Sequence, residues 1–129
     1  MKNIGVLIIL LISCFISSAQ DIKVKRKFRG TYTGIIPPYE FNSGEELFRV
    51  SSAPISITIS KTEYLLTIGD LNYEGEITAL SVQKKQAYFT IKILEYALEE
   101  KVQVDAKRKI LLRDGIRPQP IIQLRKIKE

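Results

Sequence analysis

Two groups of residues have types and spacing that could do chemistry: the carboxylates Glu74 and Glu76, and the cations Lys23, Lys25, Lys27 and Arg29. Alternate residues of a strand share one face. A carboxylate pair on one face could divide the roles of acid and base, as in glycoside hydrolysis. The simpler reading of Glu74 and Glu76 is a solvated outer face, because carboxylates are mostly exposed. Glu45-Glu46 and Glu99-Glu100 read as loop charges. The four alternate cations would give a strand an anion-binding face, suited to lipid headgroups or an acidic partner. The competing explanation is charge that guards the strand against edge pairing.

What is missing narrows the chemistry further. The chain has no histidine, and its single cysteine is Cys14. The commonest general base and metal ligand is therefore lacking. No phosphate loop or dinucleotide fingerprint is visible. The Asp/Asn/Gly density of an oxygen-only calcium site is also missing. The expectation is a protein without catalytic residues, cofactor or metal, and so a non-enzymatic one.

The first nineteen residues account for the cysteine. Met1-Lys2-Asn3 is a basic start, Ile4 to Ile16 is uncharged, and Ser17-Ser18-Ala19 supplies small residues, the three parts of a secretory signal. The uncharged run is short of the roughly 20 residues a membrane span needs. Cleavage after Ala19 would release a soluble protein into the periplasm or the medium. Alternatively, Leu11-Ile12-Ser13-Cys14 resembles a bacterial lipobox, which would retain Cys14 as the lipidated residue of an outer-membrane lipoprotein. Phe15 and Ile16 continue the apolar run, which favours the cut after Ala19. Export makes nucleic acid an unexpected partner.

The remaining 129 − 19 = 110 residues suit one domain, 20–129, with a core that needs no staples. Removing Lys2 leaves 20 − 1 = 19 basic residues against 14 acids, a net charge of +5. Such a surface attracts anionic lipids or glycans, and it also confers solubility.

Period-2 alternation organises this domain. Ile22, Val24, Phe28, Gly30 and Tyr32 share one face of a first strand, interrupted only by Arg26, with the four cations on the other. Pro37-Pro38 ends it, and Glu40 to Glu45 is a loop. Gly69-Asp70 is a two-residue hairpin signal that pairs Ile68 with Leu71, Leu66 with Tyr73, and Tyr64 with Gly75. A tight turn at Lys61-Thr62 pairs Ile59 with Tyr64, Ile57 with Leu66, and Ile55 with Ile68. Both hairpins turn the same residues inward, Leu71, Tyr73, Gly75 and Ile77 among them, which fixes the register because a one-residue slip inverts a strand. Gly75 opposite Tyr64 predicts a ring over a glycine or a bend.

Beyond Ile77 the phase shifts as at a bulge. A turn at Gln83 to Gln86 leads to an inward row of Phe89, Ile91 and Ile93. The stretch 94–101 reads as strand followed by an irregular corner, with a short helix as the alternative. Val102 and Val104 are expected opposite Ile110 and Leu112 across a turn at 106–108, and Ile122 and Leu124 mark the last strand. The fold class is all-β, an antiparallel meander of eight or nine strands forming a small barrel, with a sandwich as the alternative.

Phe28-Arg29-Gly30-Thr31-Tyr32-Thr33-Gly34 resembles the first strand of lipocalin-like, or calycin, barrels, with Tyr32 where that family carries tryptophan. The resemblance implies an aromatic plug at a closed end, a terminal arginine (Arg113 or Arg125) packed on it, and a cup for a small apolar ligand or, less often, a protein partner. Candidate inner-face or cup residues are Tyr32, Tyr64, Leu66, Tyr73 and Phe89. Barrels of this size can also be filled, and the many isoleucines favour that. The functional expectation is an exported binding module for an apolar ligand or an anionic envelope component. The alternative is a solid-core structural or inhibitory interaction domain.

Overall fold

The computed structural model describes residues 22–96, 98–115 and 119–127. The export signal and Cys14 lie outside the described residues. Ten strands follow a short 3₁₀ turn at Arg26–Phe28: β1 (Gly30–Ile36), β2 (Tyr39–Asn42), β3 (Leu47–Val50), β4 (Ala53–Ile59), β5 (Glu63–Ile68), β6 (Leu71–Gln83), β7 (Gln86–Ile93), β8 (Leu98–Asp105), β9 (Ile110–Asp114) and β10 (Ile122–Lys126). β4 to β10 pair in sequence, and β1 closes the barrel by pairing with both β4 and β10. The result is an eight-stranded antiparallel barrel rather than a sandwich. Closure leaves no exposed barrel edge.

The central register is the expected one. Ile55 faces Ile68, Ile57 faces Leu66 and Ile59 faces Tyr64. Across the next turn Tyr64 faces Gly75 and Ile68 faces Leu71. A Cβ on Gly75 would lie 2.7 Å from Tyr64 Cδ1 and 2.6 Å from Ile91 Cγ2, so the ring does lie over the glycine. Leu71 sits at the barrel rim and is exposed. The bulge falls between Ile77 and Ala79, where one extra residue restores the inward phase of Leu80 opposite Phe89.

Four expectations need correction. The first strand begins at Gly30, not Ile22. Residues 22–29 instead fold over the barrel mouth, because Arg29 Nε donates to Val24 O at 2.9 Å and Val24 N to Lys61 O at 2.8 Å. Lys23, Lys25 and Lys27 are exposed on this cover, and Arg29 is half-buried, so the four cations are not a strand stripe. Second, the loop expected at Glu40 to Glu45 is mostly the separate hairpin β2–β3, and the chain turns only at 43–46.

Third, Val102 faces Arg113 and Val104 faces Leu111, one residue from the expected pairing. The Asp105 carboxylate accepts the N–H groups of Lys107 and Arg108 at 3.0 and 3.1 Å, which builds a four-residue turn ending at Lys109 with φ 58°. That slip turns Leu111 and Arg113 inward and Leu112 outward. Fourth, Glu100 is no loop charge: it belongs to β8, opposite Ile91, and is 2% exposed.

Side chains fill the interior. Tyr32, Tyr64, Ile57, Ile91, Leu111 and Leu124 have no exposure, and Phe89 has 2%. A water-sized void beside them would leave accessible surface on its lining, so the layers interlock as in a filled eight-stranded barrel. Val24 and Phe28 seal the mouth. Tyr32 Oη reaches up to donate to Phe28 O at 2.9 Å, so the aromatic plug and its cover form one unit.

Candidate functional site: the basic end of the barrel

In an up-and-down meander, every second turn lies at the same end. The β4–β5, β6–β7 and β8–β9 turns therefore sit together beside the cover formed by residues 22–29. Backbone and side-chain bonds join them. Ala106 N donates to Lys85 O at 2.8 Å, Lys126 N to Lys109 O at 2.9 Å, and Lys27 Nζ to Lys84 O at 3.1 Å. These turns carry Lys61, Lys84-Lys85 and Lys107-Arg108-Lys109, and the cover adds Lys25, Arg26 and Lys27. Asp105 is used locally, at 3.9 Å from Arg108 and in capping its own turn. Turns at the other end hold Asp70 and Glu95, and the hairpin that leaves the barrel there carries Glu40, Glu45 and Glu46 against Arg49, which pairs with Glu40. Charge is thus separated along the barrel axis.

A cleft of about 820 Å³ opens at the basic end between the cover, the β4–β5 turn and the end of β10. Its cations are Arg26, Arg29, Lys61, Lys109 and Lys126, and among the described residues no carboxylate lines it. Thr31, Thr58 and Ser60 add hydroxyls, with Thr31 and Thr58 sharing a 3.0 Å hydrogen bond. Gly30 has φ 140°, open to glycine but strained for other residues. A Cβ there would lie 2.5 Å from Lys126 Cε, so the glycine lets the lysine stem lie against the strand. Of the cations expected to form an anion-binding face, Arg29 enters this cleft. Lys23, Lys25 and Lys27 lie on the adjoining cover.

A second polar cluster lies inside the barrel, and sequence reasoning missed it. Arg113 Nη2 and Nε donate to Glu100 Oε2 and Oε1 at 2.8 and 3.3 Å, Tyr64 Oη donates to Oε1 at 2.7 Å, and Arg113 Nη1 donates to Gln119 at 2.9 Å. Each buried polar side-chain atom among the described residues finds a partner. Burial, and then the Glu100 charge, push the Tyr64 phenol well above its ordinary range, and burial alone pushes Tyr32 up to about 12. Both phenols stay neutral donors at physiological pH. Alternation from Val104 through Val102 to Glu100 was the available signal. The slipped β8–β9 register hid Glu100's partner. Arg113, one of two candidates for the arginine on the aromatic plug, is committed to Glu100 and Gln119. Arg125 is exposed on β10.

The remaining site candidates separate. Tyr32, Tyr64, Leu66 and Phe89 are packed inside, and Tyr73 is half-buried with its ring 5.6 Å from that of Tyr96. Glu74 and Glu76 are exposed on β6, opposite Leu65 and Glu63. Among the described residues no His/Cys/Asp/Glu group is placed to hold a metal, and no helix is long and apolar enough to cross a membrane. Compared with protein-family models, curated proteins and solved structures, the chain gives no match.

Proposed function

We propose that this chain is an exported, non-enzymatic, lipocalin-like binding module that docks an anionic envelope lipid surface with its basic end. The observation that carries this reading is the separation of charge. The turns at one end are lysine- and arginine-rich, and the connections at the other carry more acids (Asp70, Glu95 and, in the hairpin, Glu40, Glu45 and Glu46) than arginines. The barrel architecture and the aromatic plug of Phe28 and Tyr32 support the lipocalin-like description. The filled interior weighs against a cup for an apolar ligand and favours function through the outer surface. The buried Glu100–Arg113 pair is enclosed and fully bonded, so it supports a structural role rather than catalysis.

Vesicle flotation tests the reading. Binding to phosphatidylglycerol vesicles should exceed binding to phosphatidylcholine vesicles and fall with added salt. Each cation near an anionic surface contributes about 1 kcal/mol, so Lys84→Gln/Lys85→Gln/Lys107→Gln should weaken binding on the order of a hundredfold. Lys23→Gln/Lys25→Gln/Lys27→Gln on the cover should also weaken it. Equal binding to neutral vesicles, or none at low salt, would remove the proposal.

A further inference from the structure

We propose that the cleft between Arg26, Arg29, Lys61, Lys109 and Lys126 is a discrete pocket for a multiply charged phosphoryl group, a phosphate monoester or a pyrophosphate. This rests on reading the basic end as an anion-binding face, and it adds a defined site and ligand chemistry to that face.

Three observations separate the cleft from the surrounding basic surface. The first is a concave surface lined by cations alone. Lys84, Lys85, Lys107 and Arg108 line a neighbouring hollow of about 680 Å³ that also holds Asp105, whereas these five cations surround a hollow of about 820 Å³, within the size range of small-ligand sites, with no carboxylate among its described lining residues. A hollow excludes part of the screening solvent, so its cations act on an enclosed anion more strongly than the same charges on a convex surface.

The second is donor chemistry. Two guanidinium groups can offer paired N–H donors to phosphoryl oxygens, and three ammonium groups add compact charge. Arg29 Nε donates to Val24 O, a bond that fixes the side chain, and among the described residues its terminal nitrogens take no hydrogen-bond partner. The Thr31 and Thr58 hydroxyls also line the cleft; they share one hydrogen bond, which leaves one of their two protons as a further donor, while Ser60 is bonded to Glu63 in its own turn. Among the described residues no carboxylate competes for these cations within the cleft.

The third is preorganisation. The cleft walls belong to elements joined by backbone hydrogen bonds: Val24 N to Lys61 O at 2.8 Å, Lys126 N to Lys109 O at 2.9 Å, and Ile127 N to Thr31 O at 2.9 Å. Like charges are thus held together by the fold, at a cost that a polyanion would relieve. A carboxylate or phosphodiester brings one negative charge to these five cations. A phosphate monoester or pyrophosphate brings two or more, so the donor set discriminates by charge as well as by geometry.

Calorimetry with inorganic pyrophosphate at 0.15 M salt, on the full processed protein, tests the pocket. One equivalent should bind, with sulfate at least tenfold weaker. Lys61→Gln/Lys109→Gln should weaken pyrophosphate binding tenfold or more. Lys85→Gln/Lys107→Gln, at the same end but outside the cleft, should change it less than twofold while still lowering vesicle docking. Circular dichroism of both variants checks that the barrel is retained. A second arm identifies the source of the phosphoryl group. If it is a lipid headgroup, phosphatidic acid vesicles should bind more tightly than phosphatidylglycerol vesicles of matched surface charge, and pyrophosphate should compete. If it is a free phosphate compound, pyrophosphate binds and the two vesicle types behave alike. Absence of saturable pyrophosphate binding, or equal losses in the two double variants, would overturn the pocket. In that outcome salt-dependent vesicle docking could still stand, so failure of the pocket and failure of the docking reading are told apart.

Discussion

Replacing Arg113 with methionine should be among the most damaging single changes in the barrel. Methionine can occupy the space of the arginine stem, so packing is largely kept. What is lost is the partner of a carboxylate that is itself 2% exposed. Glu100 would give up two charge-assisted bonds, at 2.8 and 3.3 Å, and retain only the Tyr64 hydroxyl at 2.7 Å. Breaking a buried pair from one side typically costs about 3–5 kcal/mol. Against a total stability on the order of 5–15 kcal/mol, that is a large share. With a urea slope of about 2 kcal/mol per molar, a loss of about 4 kcal/mol lowers the midpoint by about 2 M. Urea suits the assay because, unlike guanidinium chloride, it does not screen the ion pair.

The complementary variant removes the cluster as a unit: Tyr64→Phe, Glu100→Leu and Arg113→Met. No buried charge or hydroxyl is then stranded, and Gln119, only half-buried, can turn to water. Buried pairs replaced by apolar groups of similar volume are often neutral or stabilising. The triple variant should therefore lie within about 1.5 kcal/mol of the parent. Should Arg113→Met not fold, recovery of a cooperative transition in the triple variant still tests the argument. A single variant that loses less than about 1 kcal/mol, or a triple variant as unstable as the single, would refute it.

Three further outcomes are expected. Gly75→Ala places a Cβ 2.6 Å from Ile91 Cγ2 and 2.7 Å from Tyr64 Cδ1, both buried, and should lower stability by about 1–3 kcal/mol in denaturant titration. In the folded barrel Tyr32 is pushed up to about 12 and Tyr64 well above its ordinary 10.0, so their contribution is complete below pH 10 and is lost as pH rises from there, that of Tyr32 through about 12. Urea midpoints measured across that window should drop steeply, and Tyr32→Phe/Tyr64→Phe should flatten the slope. In the hairpin, Phe41 and Phe48 stack at 5.0 Å. Phe48→Ala should weaken amide-exchange protection of β2 and β3 by roughly threefold to tenfold, from a ring pair worth about 0.5–1.5 kcal/mol, while barrel amides stay as they were.

What the sequence revealed depended on how local each instruction was. Gly69-Asp70 and Lys61-Thr62 each specify a turn within a few residues, and the alternating isoleucines then leave one register for β4, β5 and β6. The β8–β9 turn is set by the Asp105 side chain bonding to two backbone N–H groups, and nothing in 106–108 fixes the loop length by itself. That one-residue ambiguity concealed Arg113 and made Glu99-Glu100 look like a solvated doublet. The segment 22–29 misled for another reason. Its alternation of apolar and basic residues is real, but Val24 and Phe28 are buried by capping a barrel rather than by lying in its wall. The basic end was legible in principle. Its lysines occupy every second turn of a meander, a pattern that shows only when turns are grouped by the end they share.

The two polar features make opposite demands on water, which is the physical reason for the proposal that function lies outside the barrel. A buried ion pair holds because every donor and acceptor is matched and solvent is excluded. Opening the interior to admit a ligand would hydrate Glu100 and Arg113 and expose the apolar layers beside them. The cations at the closed end are useful only where an anionic partner can reach them. Their field decays over about 8 Å at physiological ionic strength, so a surface meeting that end scarcely senses the acidic turns at the other. Docking would therefore be oriented, with the cover and the cleft against the anion. The β2–β3 hairpin, inserted where β1 ends and β4 begins, would then point away from it, with Leu47 and Phe48 exposed. The same turn chemistry that closes the barrel at one end would thus decide which end faces the partner.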